Sequence, residues 1–329
     1  MQPMEVLILF ERQVRNLVTL GEAREAVRGA FAALAEGRAV QPASLDLEAP
    51  GGVGEMHVKG SYLAGEPFFA LKAASGFPNN RDLGLPVTGG LSMAFEADTG
   101  RLRALLFDNG WLTEVRTGAA GALAAELLSR PDVATVGMIG SGGQARYQLA
   151  ALLEVRSPKQ VLVWSPTVER ANAYAAEMRT AHEVEVLVVG SVEEAVRDAD
   201  LVVTATPATR PLVHAGWVRP GTHITAMGSD FAHKQELDVA VLAGARVVAD
   251  QLANCLRSGE VHHAVGAGAI SVDDVVELGD VVIGRIPGRV DERQITVADQ
   301  CGLGIEDTAM ANLVLRRALE RGIGDRLAI

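Results

Sequence analysis

The sequence is poor in cysteine and in aromatic residues. Its 329 residues include two cysteines, Cys255 and Cys301, and 4% aromatic residues. Two cysteines far apart in sequence indicate no disulfide framework, so we expect a reducing compartment. With few aromatic rings, the core has to be built from Ala, Val and Leu. Such a core, in a chain with 35 glycines, is typical of alternating helices and buried parallel strands.

Runs of positive charge and long apolar runs are also missing. The formal net charge is -11 and no segment is rich in Lys and Arg, which argues against nucleic acid as a partner. No stretch of about 18 apolar residues is present, so no membrane span is expected. The first residues, MQPMEVLILFERQVRNL, lack the basic start, the apolar segment and the cleavage site of a secretion signal. We therefore expect a cytoplasmic protein, and the length suits two domains.

The first third of the chain predicts a helix followed by a β-rich region. Apolar residues recur at helical spacing over Leu20–Glu36, and Gly37 is a plausible stop. From Pro42 to Asp108, short apolar segments separated by Gly, Pro, Asn and Asp predict strands of a mixed or antiparallel sheet. The segments are Glu55–Lys59, Pro67–Ala73, Gly90–Phe95 and Leu102–Phe107. A long Ala-rich helix is then predicted over Trp111–Leu128.

At Asp132 the pattern changes to strands and helices in alternation. This series predicts a parallel, doubly wound sheet of the Rossmann type. Helices are predicted after the first strand as far as Glu154, then over Thr167–Thr180, Val192–Asp198 and, near the end, Glu306–Arg321. The strands are predicted at Val133–Ile139, Gln160–Trp164, Val184–Val189, Leu201–Thr206, Thr222–Met227 and Arg246–Ala249.

A glycine-rich turn, GSGGQA over 140–145, joins the first of these strands to its helix. It has the form G-x-G-x-x-A, which is weak evidence alone but here lies between a strand and a helix, as a dinucleotide site requires. Gly140 permits a tight turn, Gly142 lets the backbone approach a pyrophosphate, and Ala145 lets the helix pack on the strand. The sequence therefore predicts that this segment binds NAD(P).

The end of the second strand leaves the choice between NAD and NADP open. An acidic residue there would bind the ribose 2′-hydroxyl of NAD, but the strand ends in VWSPT, with Arg170 shortly after. Ser165, Thr167 and Arg170 can instead hold the 2′-phosphate of NADP. The alternative is that they are ordinary residues at a helix N-terminus.

Several separated segments resemble the ornithine cyclodeaminase/μ-crystallin family over nearly the whole chain. They are FALKAASGFPNNRDLGLPVTGG, LLFDNGWLTEVRTGAAGA, MIGSGGQAR, TATPATRPLV, TAMGSDFAHKQELD, RSGEVHHA and CGLGIEDTA. The patterns MGSDxxHKxE and GExHHA look most like the ectoine-utilisation cyclodeaminase branch and its imine-reducing relatives. The resemblance implies a substrate and dimerisation domain (1–125 with 305–329), a Rossmann domain (126–304), and a homodimer.

The resemblance also implies a reaction that passes through the imine of an amino acid. Some family members reduce ketimines or iminosuccinate, some dehydrogenate alanine, and some cyclise ornithine or lysine with loss of ammonia. We therefore expect an NAD(P)H-dependent imine reductase or amino-acid dehydrogenase. A cyclodeaminase that recycles NAD, and a nucleotide-binding protein without catalysis, are the alternatives.

Three residues match family positions that contact the substrate. Lys72 and Arg116 match the pair that binds the substrate carboxylate, and a guanidinium with an ammonium suits that task. Glu55 matches a second acidic residue of the substrate site. The alternatives are a surface lysine, a helix-surface salt bridge of Arg116 with Glu114 or Asp108, and a strand-end salt bridge of Glu55.

Asp230 matches the catalytic aspartate of the family. It follows an apolar strand at its carboxyl end, where ligands bind in open α/β sheets. A carboxylate there can exchange a proton with the substrate nitrogen. The alternative, or additional, role is that of N-cap for a helix beginning near His233.

The cofactor-contact positions implied by the resemblance are scattered through the chain. Each residue is unremarkable by itself, and only the joint pattern indicates a site. They are Thr88, Arg116, Gly140, Gly142, Gly143, Gln144, Ala145, Ser165, Thr167, Arg170, Thr206, Met227, Gly228, Ser229, Lys234, Gln300 and Cys301.

One position departs from the family pattern. Ser44 stands where members usually carry an arginine that binds the carboxylate, and losing such a charge-assisted bond costs about 1.5–3 kcal/mol. His57, Lys59 and Arg81 are candidate replacements, and true ornithine cyclodeaminase activity is placed in doubt.

The adjacent pair His262–His263 predicts no metal site. Neighbouring side chains point different ways on a helix or strand, and no further ligand spacing accompanies them. A role at a dimer interface or in a cofactor lid is expected instead.

Overall fold

The computed structural model describes residues 5–328, and they form two compact units. One unit contains the chain up to Arg116 together with the residues from Leu303 onward, and the other is Thr117–Gly302. The expected domain boundaries, after 125 and after 304, lie within the helices Trp111–Leu128 and Gly304–Arg321. No helix among the described residues is both long and apolar enough to cross a membrane.

The first unit is built on a mixed sheet with the order β18-β1-β7-β6-β5-β4-β2, in which β3 also pairs with β4. β1 and β7 are parallel, and the other pairs are antiparallel. The prediction of a mixed sheet is confirmed, although the patterns missed the strands at both ends of the described chain. The strands are β1 (Glu5–Phe10), β2 (Ala39–Val40), β3 (Leu45–Glu48), β4 (Glu55–Leu63), β5 (Phe68–Gly76), β6 (Thr88–Glu96), β7 (Leu102–Phe107) and β18 (Asp325–Ala328).

The three helices predicted for this part of the chain are confirmed, α11 beginning two residues earlier than predicted, whereas the short helix α1 is not predicted by the sequence. α2 starts after the capping box of Thr19 and Glu22 and stops before Gly37, whose φ is +71°. α11 buries most of its first three turns, including Glu306 and Asp307. The helices are α1 (Glu11–Arg15), α2 (Leu20–Ala35), α3 (Trp111–Leu128, which continues into the second unit) and α11 (Gly304–Arg321).

The second unit is the predicted doubly wound parallel sheet, with the order β10-β9-β8-β11-β13-β17-β15-β16. Every strand pair in it is parallel, and β12 and β14 form a separate parallel pair. The chain runs outward from β8 to β10 and then returns to β11, so the point where the order reverses lies between β8 and β11. Ligands bind at such a point, beyond the carboxyl ends of the strands.

The six predicted strands of this unit are confirmed to within two residues at each end, but β12, β14, β16, β17 and the helices α7–α10 are not predicted by the sequence. Central strands are buried on both faces, as parallel sheets require. The strands are β8 (Thr135–Ile139), β9 (Gln160–Trp164), β10 (Glu185–Val188), β11 (Leu201–Thr204), β12 (Thr209–Val213), β13 (His223–Ala226), β14 (Gln235–Leu237), β15 (Arg246–Ala249), β16 (Val275–Glu277) and β17 (Thr296–Asp299). The helices are α4 (Gly143–Leu152), α5 (Val168–His182), α6 (Val192–Arg197), α7 (Val239–Ala243), α8 (Leu252–Cys255), α9 (Gly259–Gly266) and α10 (Leu278–Val282).

Candidate functional site

The glycine-rich turn has the geometry that a pyrophosphate site needs. Gly140 has a φ of +118°, and a Cβ added there would lie 2.5 Å from the Ala205 carbonyl oxygen, so only glycine fits. Gly142 is the N-cap of α4, and an added Cβ would meet no atom within 4 Å. Ala145 is fully buried against the sheet. The turn therefore leaves an open helix N-terminus, where backbone N–H groups attract anions.

The other cofactor-contact positions of this unit follow neighbouring strands at the same edge. Thr206 comes just after β11, Met227–Ser229 follow β13, and Gln300 and Cys301 follow β17. These strands are adjacent in the sheet, and β8, which precedes the turn, lies beside β11. The sheet therefore brings most of the predicted cofactor positions to one edge.

The segment after β9 carries no acidic residue before α5. Thr167 is the N-cap of α5, yet its side chain makes no capping hydrogen bond, and Ser165 Oγ lies 3.5 Å from the Thr167 nitrogen. Arg170 is exposed in the first turn of the same helix. The positions suit a 2′-phosphate as well as a helix N-terminus, so both interpretations stand.

Asp230 follows β13 by four residues and is half-buried. Its Oδ1 lies 2.8 Å from Lys234 Nζ. Asp230, the candidate catalytic residue, is thus ion-paired with Lys234, a candidate cofactor contact. The helix expected near His233 is wrong, because a turn closed by the Lys234 N–H and the Phe231 carbonyl leads straight into β14. Asp230 therefore does not act as an N-cap.

In the first unit, Lys72 and Arg116 meet at Asp307. Lys72 Nζ lies 3.1 Å from Asp307 Oδ2, and Arg116 Nε lies 3.2 Å from Asp307 Oδ1. Arg116 Nη1 also lies 3.3 Å from Glu306 Oε2. Because the two cations are only 4% and 5% exposed, the alternatives of a surface lysine and of a helix-surface salt bridge are wrong. The two buried cations and the two buried carboxylates therefore form one ion-pair cluster.

Burial and mutual charge shift the protonation of this cluster. Burial lowers the pKa of Lys72 to about 8, with a further lowering by Arg116 and an opposing effect of Asp307. Burial alone would raise the pKa of Asp307, but the charges of Lys72 and Arg116 outweigh it and hold that pKa below its usual value. Burial also raises the pKa of Asp108 to about 6. Lys72 therefore loses its proton at a lower pH than an ordinary lysine.

Ser44, which stands at the departure from the family pattern, belongs to a small polar group on β3 and β4. Its hydroxyl donates to Asp46 Oδ2 at 2.8 Å, and Asp46 Oδ1 lies 2.7 Å from His57 Nδ1. Glu55 is half-buried at the start of β4, and Thr88 is exposed at the start of β6. His57 therefore uses its Nδ1 atom for Asp46.

The histidine pair lies on α9, half-buried, and each ring bonds a different carbonyl. His262 Nδ1 lies 3.0 Å from the Leu256 oxygen, and His263 Nε2 lies 2.8 Å from the Lys234 oxygen. These separate bonds agree with the argument that the two rings do not chelate one ion.

The fold also joins the two cysteines that lie far apart in sequence. Their sulfur atoms are 3.8 Å apart, and ligand-type atoms of Cys255, Asp299 and Cys301 all lie within 4.8 Å of one another. Cys255 Sγ donates to Asp250 Oδ1 at 3.2 Å. The hydrogen bond from Cys255 lowers the pKa of Cys301, but burial and the nearby Asp299 raise it to about 11. Burial also raises the pKa of Cys255, so the fold favours the protonated form of both thiols.

The sequence did not indicate the roles of three residues, Asp307, Arg146 and Glu236. Asp307 lay in a quoted motif, but acids at a helix N-terminus are common for other reasons. Arg146 directly follows the turn and donates from Nη1 to the carbonyls of Ser141 and Gly142 at 2.7 and 2.9 Å. Glu236, in the motif after Asp230, is buried behind the cofactor edge. Only Arg146 had a usable signal, since its place beside the turn was visible.

The residues present fit a dinucleotide. The positive φ of Gly140 and the open face of Gly142 leave room for a pyrophosphate at the N-terminus of α4. The Oε1 atom of Gln300 is buried near β17 without a hydrogen-bond partner. A buried acceptor of this kind costs free energy unless a ligand donates to it.

Comparison with known proteins agrees with this architecture. The model of the ornithine cyclodeaminase/mu-crystallin family matches residues 4–322. The chain is 44% identical to an uncharacterized cyclodeaminase of Sinorhizobium fredii over 96% of this chain and 97% of the relative.

Two solved structures resemble the whole chain. Δ1-pyrroline-2-carboxylate reductase of Thermococcus litoralis, in complex with NADH and L-proline, is 33% identical with a TM-score of 0.93, covering 98% of this chain and 100% of the other. An archaeal alanine dehydrogenase dimer with bound NAD is 36% identical with a TM-score of 0.92, covering 99% and 100%. The protein therefore belongs to the ornithine cyclodeaminase/mu-crystallin family.

Proposed function

We propose that the protein is an NAD(P)H-dependent oxidoreductase that reduces the C=N bond of an imino acid, or oxidises the corresponding amino acid. The observation that carries the proposal is the cluster of Lys72, Arg116 and Asp307, in a chain whose other unit has a dinucleotide turn. The relatives that reduce pyrroline-2-carboxylate or oxidise alanine handle substrates of this class. A bound nicotinamide would supply or accept the hydride.

The chain's own residues would bind the substrate and move a proton. Arg116 and Lys72 would hold the carboxylate, with Asp307 and Glu306 keeping the guanidinium oriented. Asp230 would take a proton from the substrate nitrogen in the oxidative direction and, once protonated, would return it in the reductive direction; its Oδ1 lies 2.8 Å from Lys234 Nζ.

The first unit is proposed to bind substrate and to form a homodimer, and the second to bind the dinucleotide. The outer face of β3 and β4 exposes Leu45 by 57%, Leu47 by 50% and Met56 by 38%. Leu47 pairs with Met56 across the strands, so these side chains share one face. Exposed apolar side chains grouped on one face are typical of an interface, and the alanine dehydrogenase relative is a dimer.

The test is an assay of purified protein with NADH and with NADPH. The substrates are a panel of ketimines, including cyclic imino acids and iminosuccinate, and the matching amino acids in the reverse direction. Oxidation of either cofactor with one of the imines is expected. If no imine oxidises either cofactor and no amino acid reduces it, the proposal is wrong.

The role of Asp230 is tested by Asp230→Asn, which keeps the shape and removes the charge. A fall in kcat of about a hundredfold or more is expected for the loss of an acid–base group. Asp132→Asn is the matched control, because Asp132 is a surface partner of Arg130 with a side chain 75% exposed. An Asp230→Asn protein with full activity would remove the proposed role.

A cyclodeaminase is the second candidate, favoured by the name of the Sinorhizobium fredii relative. Such an enzyme releases ammonia from ornithine, lysine or a related diamino acid while its NAD is reduced and reoxidised in one turnover. Ammonia release without net accumulation of NADH would favour it over the reductase.

A further inference from the structure

Glu236 joins two loops that carry predicted cofactor contacts. It lies on β14 and is fully buried. Its Oε1 accepts hydrogen bonds from the backbone nitrogen and the hydroxyl of Thr206, both at 2.7 Å. Its Oε2 accepts from the Thr204 hydroxyl at 2.7 Å and from the Gly228 nitrogen at 2.8 Å. One carboxylate therefore binds the chain after β11 and the chain after β13.

These bonds begin where the sheet ladder stops. Thr204 and Ala226 are the last paired residues of β11 and β13, and the Met227 nitrogen still donates to the Thr204 carbonyl. Beyond that point the two segments no longer pair with each other. The Glu236 carboxylate takes over by accepting the N–H groups of Thr206 and Gly228. It fixes the spacing of two loops that ladder bonds no longer hold.

Residues of α9 hold the segment that carries Glu236. The two carboxylate oxygens of Glu260 accept from the backbone nitrogens of Glu236 and Leu237, at 2.7 and 3.1 Å. His263 donates to the Lys234 carbonyl from the same helix. The motifs GEVHHA and KQELD are thus hydrogen-bonded to each other behind the strand ends at which the predicted cofactor contacts lie.

We propose that Glu236 is a positioning residue for the dinucleotide, acting through Thr206 and Gly228. The inference rests on the proposed function, because it assumes that the dinucleotide binds at this edge. It has a chemical consequence for Thr206. The Thr206 hydroxyl gives its proton to Glu236, and one of its lone pairs accepts from the Ala208 nitrogen at 3.3 Å. Toward a ligand the hydroxyl can therefore only accept a hydrogen bond, through its other lone pair. The group that it holds is therefore a donor, such as a ribose hydroxyl or a carboxamide N–H.

Glu236→Gln tests the proposal with an almost isosteric change. Each carboxylate oxygen receives one backbone N–H, so the amide NH2 of glutamine faces a backbone donor in either orientation. One of the two loops is therefore released whichever way the amide turns. Cofactor dissociation constants are measured by fluorescence titration with NADH and NADPH, well below the unfolding temperature of each variant. The dissociation constant of the preferred cofactor is expected to rise about tenfold.

Glu277→Gln is the matched control. Glu277 accepts one backbone N–H, from Leu252 at 2.9 Å, and glutamine can present its own oxygen to that donor. Its cofactor affinity should therefore equal that of the wild type. A folded Glu236→Gln protein that binds cofactor as tightly as the wild type would overturn the inference.

Variants of Thr206 keep the test decisive if Glu236→Gln does not fold. Thr206→Val removes the hydroxyl and should weaken cofactor binding, whereas Thr206→Ser retains it and should restore the affinity. Equal binding by the wild type and Thr206→Val would again overturn the inference. Wild-type protein that binds neither cofactor would instead refute the proposed function, and this inference with it.

Discussion

The protonation of Lys72 should set the alkaline limit of activity. If its ammonium group holds the substrate carboxylate, kcat/KM must fall as that group loses its proton. An ordinary lysine stays charged until about pH 10. Lys72, whose burial lowers its pKa to about 8, loses its charge two units earlier.

The size of the effect follows from that pKa. At pH 9, one unit above a pKa of about 8, only about one tenth of Lys72 remains charged, so kcat/KM should be about tenfold below its value near pH 7. The folded pKa lies below the unfolded value, so the unfolded chain binds more protons between pH 8 and 10.5. The contribution of Lys72 to the free energy of unfolding therefore rises with pH in that window. Activity should fall without any loss of stability from this group.

The assay compares the pH profile of kcat/KM for the wild type with that of Lys72→Arg. Arginine keeps its charge above pH 12, so the fall centred near pH 8 should disappear. A substrate imine has its own titration, which affects both proteins equally and cancels in the ratio of the two profiles. If Lys72→Arg is too slow to assay, binding of a simple carboxylate by calorimetry gives the same comparison. A ratio that stays constant from pH 7 to 9 would refute the reasoning.

Three further predictions concern the cofactor, the dimer and stability. Ser165→Asp places an acid after β9, where it would repel a 2′-phosphate. The ratio of kcat/KM for NADPH to kcat/KM for NADH should therefore fall at least about tenfold. Ser165→Asn, which adds no charge, should change this ratio little. Leu47→Asp, on the exposed face of β3, should convert the proposed dimer to monomer in analytical ultracentrifugation. The control is Leu187→Asp on β10, at a leucine that is 38% exposed. A Leu47→Asp dimer of unchanged affinity would contradict the proposed interface. Burial raises the pKa of Asp108 from 3.8 to about 6, so the folded protein favours its protonated form. The contribution of Asp108 to the free energy of unfolding is therefore fully present below pH 3.8 and is lost as the pH rises through 6. Asp108→Asn should remove this contribution, so between pH 4 and 6.5 its Tm, measured by calorimetry, should fall less or rise more than that of the wild type. Equal changes in Tm for the two proteins would contradict the prediction.

The sequence patterns predicted the strands β8, β9, β10, β11, β13 and β15 of the second unit, because a buried strand forms a local apolar run. Strand Gln160–Trp164 and helix Trp111–Leu128 have the predicted bounds. The strand is a continuous apolar run, as buried parallel strands are, and the helix is a long Ala-rich segment. The turn at 140–145 was identified because glycine at Gly140 is forced by a positive φ. The helix expected near His233 failed because Asp230 pairs with Lys234 and the chain enters β14 at once. β14 has only three residues, which is too short to show the alternating pattern by which a strand is predicted from sequence.

The sequence by itself determined the alternation of strands and helices, the dinucleotide turn, and the identity of Lys72, Arg116 and Asp230 as candidates. Only the tertiary structure decided which partners those residues have. Arg116 meets Asp307 across 191 positions of sequence, and Cys255 meets Cys301 across 46. Glu236 gains its role because two parallel strands end on either side of it. Such partners arise from the packing of distant segments and from burial, which raises the free-energy cost of any charge or hydrogen-bonding group left alone.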